Sequence, residues 1–426
     1  MHRLSPELLV TSPVLPGAGP RGVRSRLVLL VAFLVAALVA AGCSSSGDSG
    51  SGSKGGKAAD PTTSPSPDGP KLTIDPAANA TAVSPVAPIK LSIDKDTITA
   101  VSVKSDDGDA VEGAVGADKR SWASTGKLSF GATYTVSVTT TGSATPITSK
   151  FSTVPTPSAD NSVRTSSILG DGKTYGVGMP VILKLSRSVK SDAARTAFEK
   201  MLKVTSNPST TGAWGWISST ELHFRPAEYW EAGSEVHVSV DSAGREVADG
   251  VWGRTDLTVD FKIGTDRRLV ADSATHTMKV TEGGEVVKSM PVSLGKPKYP
   301  SSSGTMVIID KRREAMFDSS TYGLAVDSPD GYRTKVEYPM RLTWGGEFIH
   351  SAPWSVAQQG KENVSHGCIN VAPDMAVWLY NRLQVGDPVT VKNTETTVQL
   401  GNGYSDWTLS FEDWLTHSKS GVITTA

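Results

Sequence analysis

Residues Ile349–Val371 read IHSAPWSVAQQGKENVSHGCINV. The segment begins on a strand that follows the tight turn in WGGEFIH and ends at His350, and it closes on a glycine-containing turn that carries Cys368. A thiol attacks carbonyl carbon as a thiolate, and an unperturbed cysteine is mostly protonated at neutral pH, so Cys368 needs a base. His350 is the candidate, because two adjacent elements bring a strand end and a turn within hydrogen-bonding reach. A helix predicted just after the cysteine favours the thiolate through its N-terminus. No acid lies beside His350, so the Ser351 carbonyl is the acceptor expected to fix its tautomer. Gly367 permits a sharp turn that leaves the N–H groups of Gly367 and Cys368 free to hold an oxyanion, with Asn370 locking the turn. Two other readings stay open at this point. One is an inert buried thiol. The other is zinc held by Cys368, His366 and His350, which is disfavoured because a structural site wants four ligands and no second cysteine or HExxH spacing accompanies them.

Around this segment the chain reads as one β-rich unit, residues 265–395. THTMKVTEGGEVVKSMPVSLG predicts a hairpin turning between Glu282 and Glu285, and TMVII a further strand. After the cysteine, APDMAVWLYNRLQVGDPVTV predicts a helix, a turn and a strand. Ala376, Leu379, Tyr380 and Leu383 share one helical face, Pro373 suits the first turn, and Gly386 marks the exit. The tail, residues 396–426, is read as a subdomain whose Trp407 and Trp414 pack onto neighbouring domains.

Upstream, short alternating runs broken by turn dipeptides predict two immunoglobulin-like β-sandwich modules, residues 71–155 and 156–264. Trp122, Leu128 and Phe130 precede TYTVSV in the first; Trp216, Leu222 and Phe224 precede SEVHVSV in the second. The common spacing predicts equivalent core positions. The segment SDAARTAFEKMLKV interrupts the second module as a short helix or irregular insertion. The 41 glycines and 25 prolines agree with a mainly β chain rich in turns.

Residues 1–43 read as an address. Arg21, Arg24 and Arg26 precede fifteen apolar residues, Leu27–Ala41, ending at Gly42-Cys43. The run is too short for a spanning helix, which takes about 20 residues. Small residues before Cys43 resemble a bacterial lipobox, implying cleavage there and a lipid on Cys43, although Ala40 stands where leucine is usual. Ordinary secretion is the alternative. Residues 44–70 hold no apolar side chain larger than alanine and form a tether of roughly 30 Å root-mean-square span. The formal charge of −1, without a basic block, argues against a nucleic-acid partner. With Cys43 acylated, Cys368 is the sole free thiol of an exported protein, where thiols ordinarily pair.

The pattern H350-x14-S365-H366-G367-C368-I369-N370, with SSTYG, SPDGYRT and IHSAPWS, resembles the L,D-transpeptidase catalytic domain, also called the YkuD domain. The whole layout is similar to actinobacterial peptidoglycan L,D-transpeptidases. The resemblance implies attack by Cys368 on the third residue of a tetrapeptide stem, release of D-Ala, and transfer to an amine of a neighbouring stem, giving a 3→3 cross-link. His350 would be the base and the Ser351 carbonyl its orienter. Gly367 and Cys368 N–H groups, with the Tyr332 hydroxyl, would hold the oxyanion. Tyr322, Tyr332 and Trp354 would line the cavity, His366 and Asn370 would shape it, and Ser365 would support the turn. Residues 317–337 would form a lid, with Phe317 where relatives can carry methionine. Stem peptides as donor and acceptor, carbapenems as covalent inhibitors and a lipid-anchored place on the outer face of the cell membrane follow from the same resemblance, and no cofactor or metal does. Two alternatives remain: an L,D-carboxypeptidase using water on the same acyl-enzyme, and a non-catalytic wall-binding lipoprotein. NlpC/P60-type hydrolases are disfavoured because their cysteine precedes their histidine.

Overall fold

The computed structural model describes residues 69–425, so the leader, Cys43 and nearly all of the tether lie outside the described residues. From residue 72 onward the chain is mainly β, and its strands build the sandwiches and the larger unit in sequence order.

In the first sandwich, alternate side chains of Thr133–Thr140 face inward, so Tyr134, Val136 and Val138 meet Leu91, Ile93 and Trp122 from the facing sheet. A strand with period-two patterning buries one face in this way. One sheet is ordered Leu72–Asp75, Lys90–Ile93, Ser121–Ser124, Gly113–Val115; the other Ile98–Ser105, Thr133–Thr140, Ser143–Ser152. The second sandwich encloses the larger core, with Trp214, Trp216, Leu222, Phe224, Trp230 and Phe261 all buried. Helix α1, Asp192–Glu199, is capped by Ser191 and sends Phe198 into that core.

The expected equivalence of the two modules fails at one position. Leu222 and Phe224 lie on the strand Glu221–Pro226, whereas Leu128 and Phe130 lie outside any strand. Leu128 is still buried, but Phe130 leaves the core and meets Trp252 of the second sandwich edge to face, with centroids 5.8 Å apart. Beside it, Lys127 Nζ reaches Asp241 at 2.5 Å and Asp256 at 2.8 Å. The sequence thus spends its repeated aromatic on the joint between modules.

The downstream unit is a six-stranded sheet ordered Glu285–Pro291, Thr277–Glu282, Arg267–Asp272, Pro388–Lys392, Ser302–Val307, Thr396–Thr397. Glu282 pairs with Glu285 across the predicted hairpin turn. A second sheet, ordered Asp310–Lys311, Met340–Arg341, Phe348–Ser351, Ile369–Val371, carries the functional segment. Helix α2, Pro373–Arg382, buries Ala376 and Leu379, with proline in its first turn and no side-chain cap from Ala372.

Among the described residues the tail has no core of its own, in contrast to the expected subdomain. Its strand Ile423–Thr424 pairs with Thr211 and Gly212, extending a sheet of the second sandwich. Helix α3, Phe411–Leu415, buries Trp414, whose Nε1–H donates to the Ala213 carbonyl at 3.1 Å. Trp407 Nε1–H donates to the Gly178 carbonyl at 2.7 Å, and Thr408 bonds both backbone groups of Thr305 in the six-stranded sheet. The tail therefore ties the second sandwich to the downstream unit. At its centre His223 lies between Asp406 at 2.7 Å and Glu221 at 3.0 Å. Burial lowers the imidazole pKa, but the two carboxylates outweigh this and lift it to about 9. The charged form is therefore favoured by folding. Its contribution is fully present below pH 6.5 and lost as pH rises through about 9, an effect on the order of 3 kcal/mol. Chemical denaturation at pH 6 and pH 10 should show that loss for the parent and a flatter profile for His223→Gln.

Candidate active site

Phe348–Ser351 and Ile369–Val371 run parallel, with His350 opposite Asn370. Side chains two residues apart on a strand share a face, so His350 and Asn370 look to the same side, and Cys368, two residues before Asn370, joins them. All three line a cavity of about 270 Å3 together with Phe317, Tyr332, Trp354, Ser365 and His366. The cysteine does not sit at a helix N-terminus: the strand Ile369–Val371 and Ala372 separate it from α2. Pairing with Ile349–Ser351 takes precedence because Ile369 and Val371 thereby enter the main core.

Nδ1–H of His350 donates to the Ser351 carbonyl at 2.9 Å, leaving Nε2 free to accept a proton. The imidazole is wholly buried, and burial lowers its pKa to about 4 despite that bond. Burial also pushes the Cys368 thiol up to about 12. The thiol donates to the Gly346 carbonyl at 3.7 Å, and the Phe348 amide opposes the effect of burial on it. Among the described residues no hydrogen bond joins thiol and imidazole. The resting pair is neutral, not the thiolate expected from the sequence, because both groups occupy an apolar enclosure. Phe317, Val336 and Phe348 pack with the sulfur as a separate cluster, and Phe317 meets the His350 ring edge to face at 5.3 Å.

That enclosure is made by the hairpin of Glu314–Asp318 and Arg333–Glu337. Its loop is anchored at Asp330, which accepts from Lys296 Nζ at 2.8 Å and Lys298 Nζ at 2.5 Å. Those lysines hold the Asp330 carboxyl well below the ordinary carboxylate range. His366 packs at a tilt against Tyr299 and Tyr332, with centroids at 4.9 and 5.3 Å. Burial lowers its pKa and raises that of Tyr332 to about 12, so the phenol stays a donor. Trp354 lies 5.9 Å from the His350 ring and is half exposed at the rim.

Three expectations change. The Gly367 N–H is not free for an oxyanion, since it donates to Ser365 Oγ at 3.2 Å. Ser365 Oγ in turn donates to the Cys368 carbonyl at 2.6 Å, so Ser365 locks the turn. Asn370 instead donates through Nδ2 to Ser355 Oγ at 3.0 Å, while its Oδ1 is buried without a partner. Tyr322 does not line the cavity; its ring lies against Gly346, where a Cβ would meet Cε1 at 2.3 Å. The Cys368 N–H and the Tyr332 hydroxyl are the donors left for a developing oxyanion. Sequence reasoning missed Glu347, Ser301 and Ser302. An acid flanked by glycine and phenylalanine in WGGEFIH was the available signal.

Two protein families match the chain. The L,D-transpeptidase catalytic domain family matches residues 266–391, and the bacterial Ig domain family matches residues 80–246, across both sandwiches. L,D-transpeptidase 2 of Mycobacterium tuberculosis is 36% identical over 346 residues, 81% of this chain and 84% of that protein. The chain belongs to the L,D-transpeptidase family. L,D-transpeptidase 5 of the same organism is 29% identical over 363 residues, 83% of this chain and 78% of that one. Among solved structures, L,D-transpeptidase 3 from Mycobacterium tuberculosis with a faropenem-derived adduct is 36% identical, covering 54% of this chain and 97% of that one at a TM-score of 0.46.

Gly367 has φ +112°, a conformation that L side chains rarely adopt, although a Cβ there would find its nearest neighbour at 3.6 Å. Gly367→Ala should therefore destabilise by backbone strain alone, about 1–3 kcal/mol. Thermal denaturation checks this, and unchanged stability would remove the strain argument.

Proposed function

We propose that this L,D-transpeptidase forms 3→3 peptidoglycan cross-links through a thioester on Cys368. The observation that carries the reading is the shared cavity in which an imidazole with a free Nε2 faces the same side as a buried thiol. Cys368 attacks the carbonyl of the third stem residue, and His350 takes the thiol proton as the carbon–sulfur bond forms. The carbonyl oxygen becomes an oxyanion held by the Cys368 N–H and the Tyr332 hydroxyl. Collapse breaks the bond to D-Ala, and His350 returns the proton to the departing amine. An amine of a second stem then attacks the thioester, gives its proton to His350, and the thiol is restored as the new amide forms.

The neutral resting pair shapes this chemistry. With the thiol near 12 and the imidazole near 4, a pre-formed thiolate–imidazolium pair is strongly uphill, so proton transfer accompanies attack. The apolar hairpin roof supports transfer to an amine over water, because it excludes bulk solvent from the thioester. The leader reading supports export, with Cys43 acylated and the tether holding the enzyme off the outer face of the membrane.

Incubation with a carbapenem should add one inhibitor mass to the parent and none to Cys368→Ala, read by intact-mass spectrometry. His350→Ala should keep its thermal transition and lose at least about a hundredfold in acylation rate, the usual scale of general-base catalysis. Parent protein without an adduct would overturn the thioester reading. With tetrapeptide stems, dimer formation supports cross-linking, and tripeptide alone would assign an L,D-carboxypeptidase.

The base must be neutral to accept the thiol proton. Since burial lowers His350 to about 4, acylation should persist to pH 5 and fall only as pH drops through about 4. Stopped acylation assays between pH 3.5 and 8 test this; a midpoint near 6.5 would contradict the buried-imidazole geometry.

A further inference from the structure

Two backbone groups flank the sulfur of Cys368: the Gly346 carbonyl accepts from the thiol at 3.7 Å, and the Phe348 amide lies on the other side of Glu347, close enough to lower the thiol pKa. The residue between them is Glu347. Its partly buried carboxylate accepts from Ser302 Oγ at 2.7 Å and from the Ser302 N–H at 3.2 Å. Its own N–H donates to Thr343 Oγ1 at 3.1 Å. The neighbouring Ser301 Oγ donates to the Gly367 carbonyl at 2.7 Å, on the turn that carries the cysteine. A Cβ on Gly367 would stand 3.6 Å from Glu347 Cγ, so the acid also packs against that turn. Consecutive serines thus grip both halves of the sulfur's surroundings, one through Gly367 and the other through Glu347.

We propose that Glu347 is a positioning residue for acyl transfer: braced on Ser302 and packed against the turn at Gly367, it sets the Gly346 carbonyl and the Phe348 amide beside the sulfur. This rests on the thioester reading of Cys368. The Gly346 carbonyl takes the thiol hydrogen in the absence of substrate, which leaves His350 Nε2 open until a carbonyl arrives. Burial is the main cause of the raised thiol pKa, and the Glu347 carboxylate adds to it; burial also raises the Glu347 carboxyl, against which the Ser302 hydroxyl and amide hold it ionised. Other groups facing the thiol are the neutral His350 and His366 imidazoles and the Tyr332 phenol, with Lys296, Lys298 and Asp330 grouped beside His366. None of these places a carboxylate against the turn as Glu347 does. An exported enzyme with an unpaired cysteine gains from this arrangement, since the thiolate is the form that oxidants and electrophiles attack.

The test uses Glu347→Gln, Glu347→Ala and Ser302→Ala in the full chain. Gln keeps an acceptor for Ser302 and removes the charge. Its Cys368 should alkylate faster than the parent with iodoacetamide between pH 7 and 10, by about two- to tenfold, because the thiolate fraction rises. Glu347→Ala and Ser302→Ala release the brace and should lower the carbapenem acylation rate, by about tenfold for the alanine at 347, with Gln restoring much of that loss. A purely structural acid would lower the melting temperature without moving the alkylation profile. If Ala at 347 prevents folding, Gln and the Ser302 variant carry the test. Alkylation by the Gln variant within 1.5-fold of the parent, or slower, overturns the proposal. So does carbapenem acylation of Ser302→Ala at the parent rate. A parent that forms no adduct would instead sink the thioester reading, so the two failures are distinguishable.

Discussion

The site depends on one backbone pairing. Phe348–Ser351 and Ile369–Val371 run side by side in parallel, and His350 falls opposite Asn370. A parallel ladder requires a long connection between its strands, and residues 352–368 provide it. Register then places imidazole and thiol on one face. A slip of one residue would send them to opposite sides of the sheet. The register is held from below, where Ile349, Ile369 and Val371 enter the core of the downstream unit. The chemistry is thus positioned by burial of the residues next to it rather than by direct contacts between the reacting groups.

Burial also sets the electrical state of the site. Removing water from a thiol and an imidazole leaves both neutral, and among the described residues no positive charge offsets the cost of a thiolate. Phe317, Val336 and Phe348 supply the apolar cover from the hairpin and the strand beneath. The ion pairs at Asp330 lie outside this cover, where they fasten the loop without entering the reaction. A thiol enclosed and neutral in this way is slow toward random electrophiles, because the thiolate is the reactive form.

Much of this was legible in sequence because the signals are local. The Glu282–Glu285 turn, the alternating TYTVSV strand and the amphipathic face of α2 each follow from neighbours within a few residues. The family signature likewise named the cavity's cysteine and histidine. What sequence did not reveal depends on distant partners. Phe130 reads like a core aromatic until Trp252 of the next module claims it. The Gly367 amide reads as free until Ser365 is seen folded back over the turn. The thiol's ionisation follows from a hairpin roof contributed by residues some thirty to fifty positions upstream. Glu347 was passed over because its role requires Ser302, 45 residues away.

The strand Ile423–Thr424 lies against Thr211 and Gly212 although about two hundred residues separate them along the chain. Until that segment has been synthesised, the second sandwich presents a bare flank of unpaired amides and carbonyls. Its completion is consequently out of step with chain order: the strand Thr211–Trp216 gains its outer partner only once residues 423–424 exist. A chain halted short of residue 423 would leave that edge open to the strand of another copy.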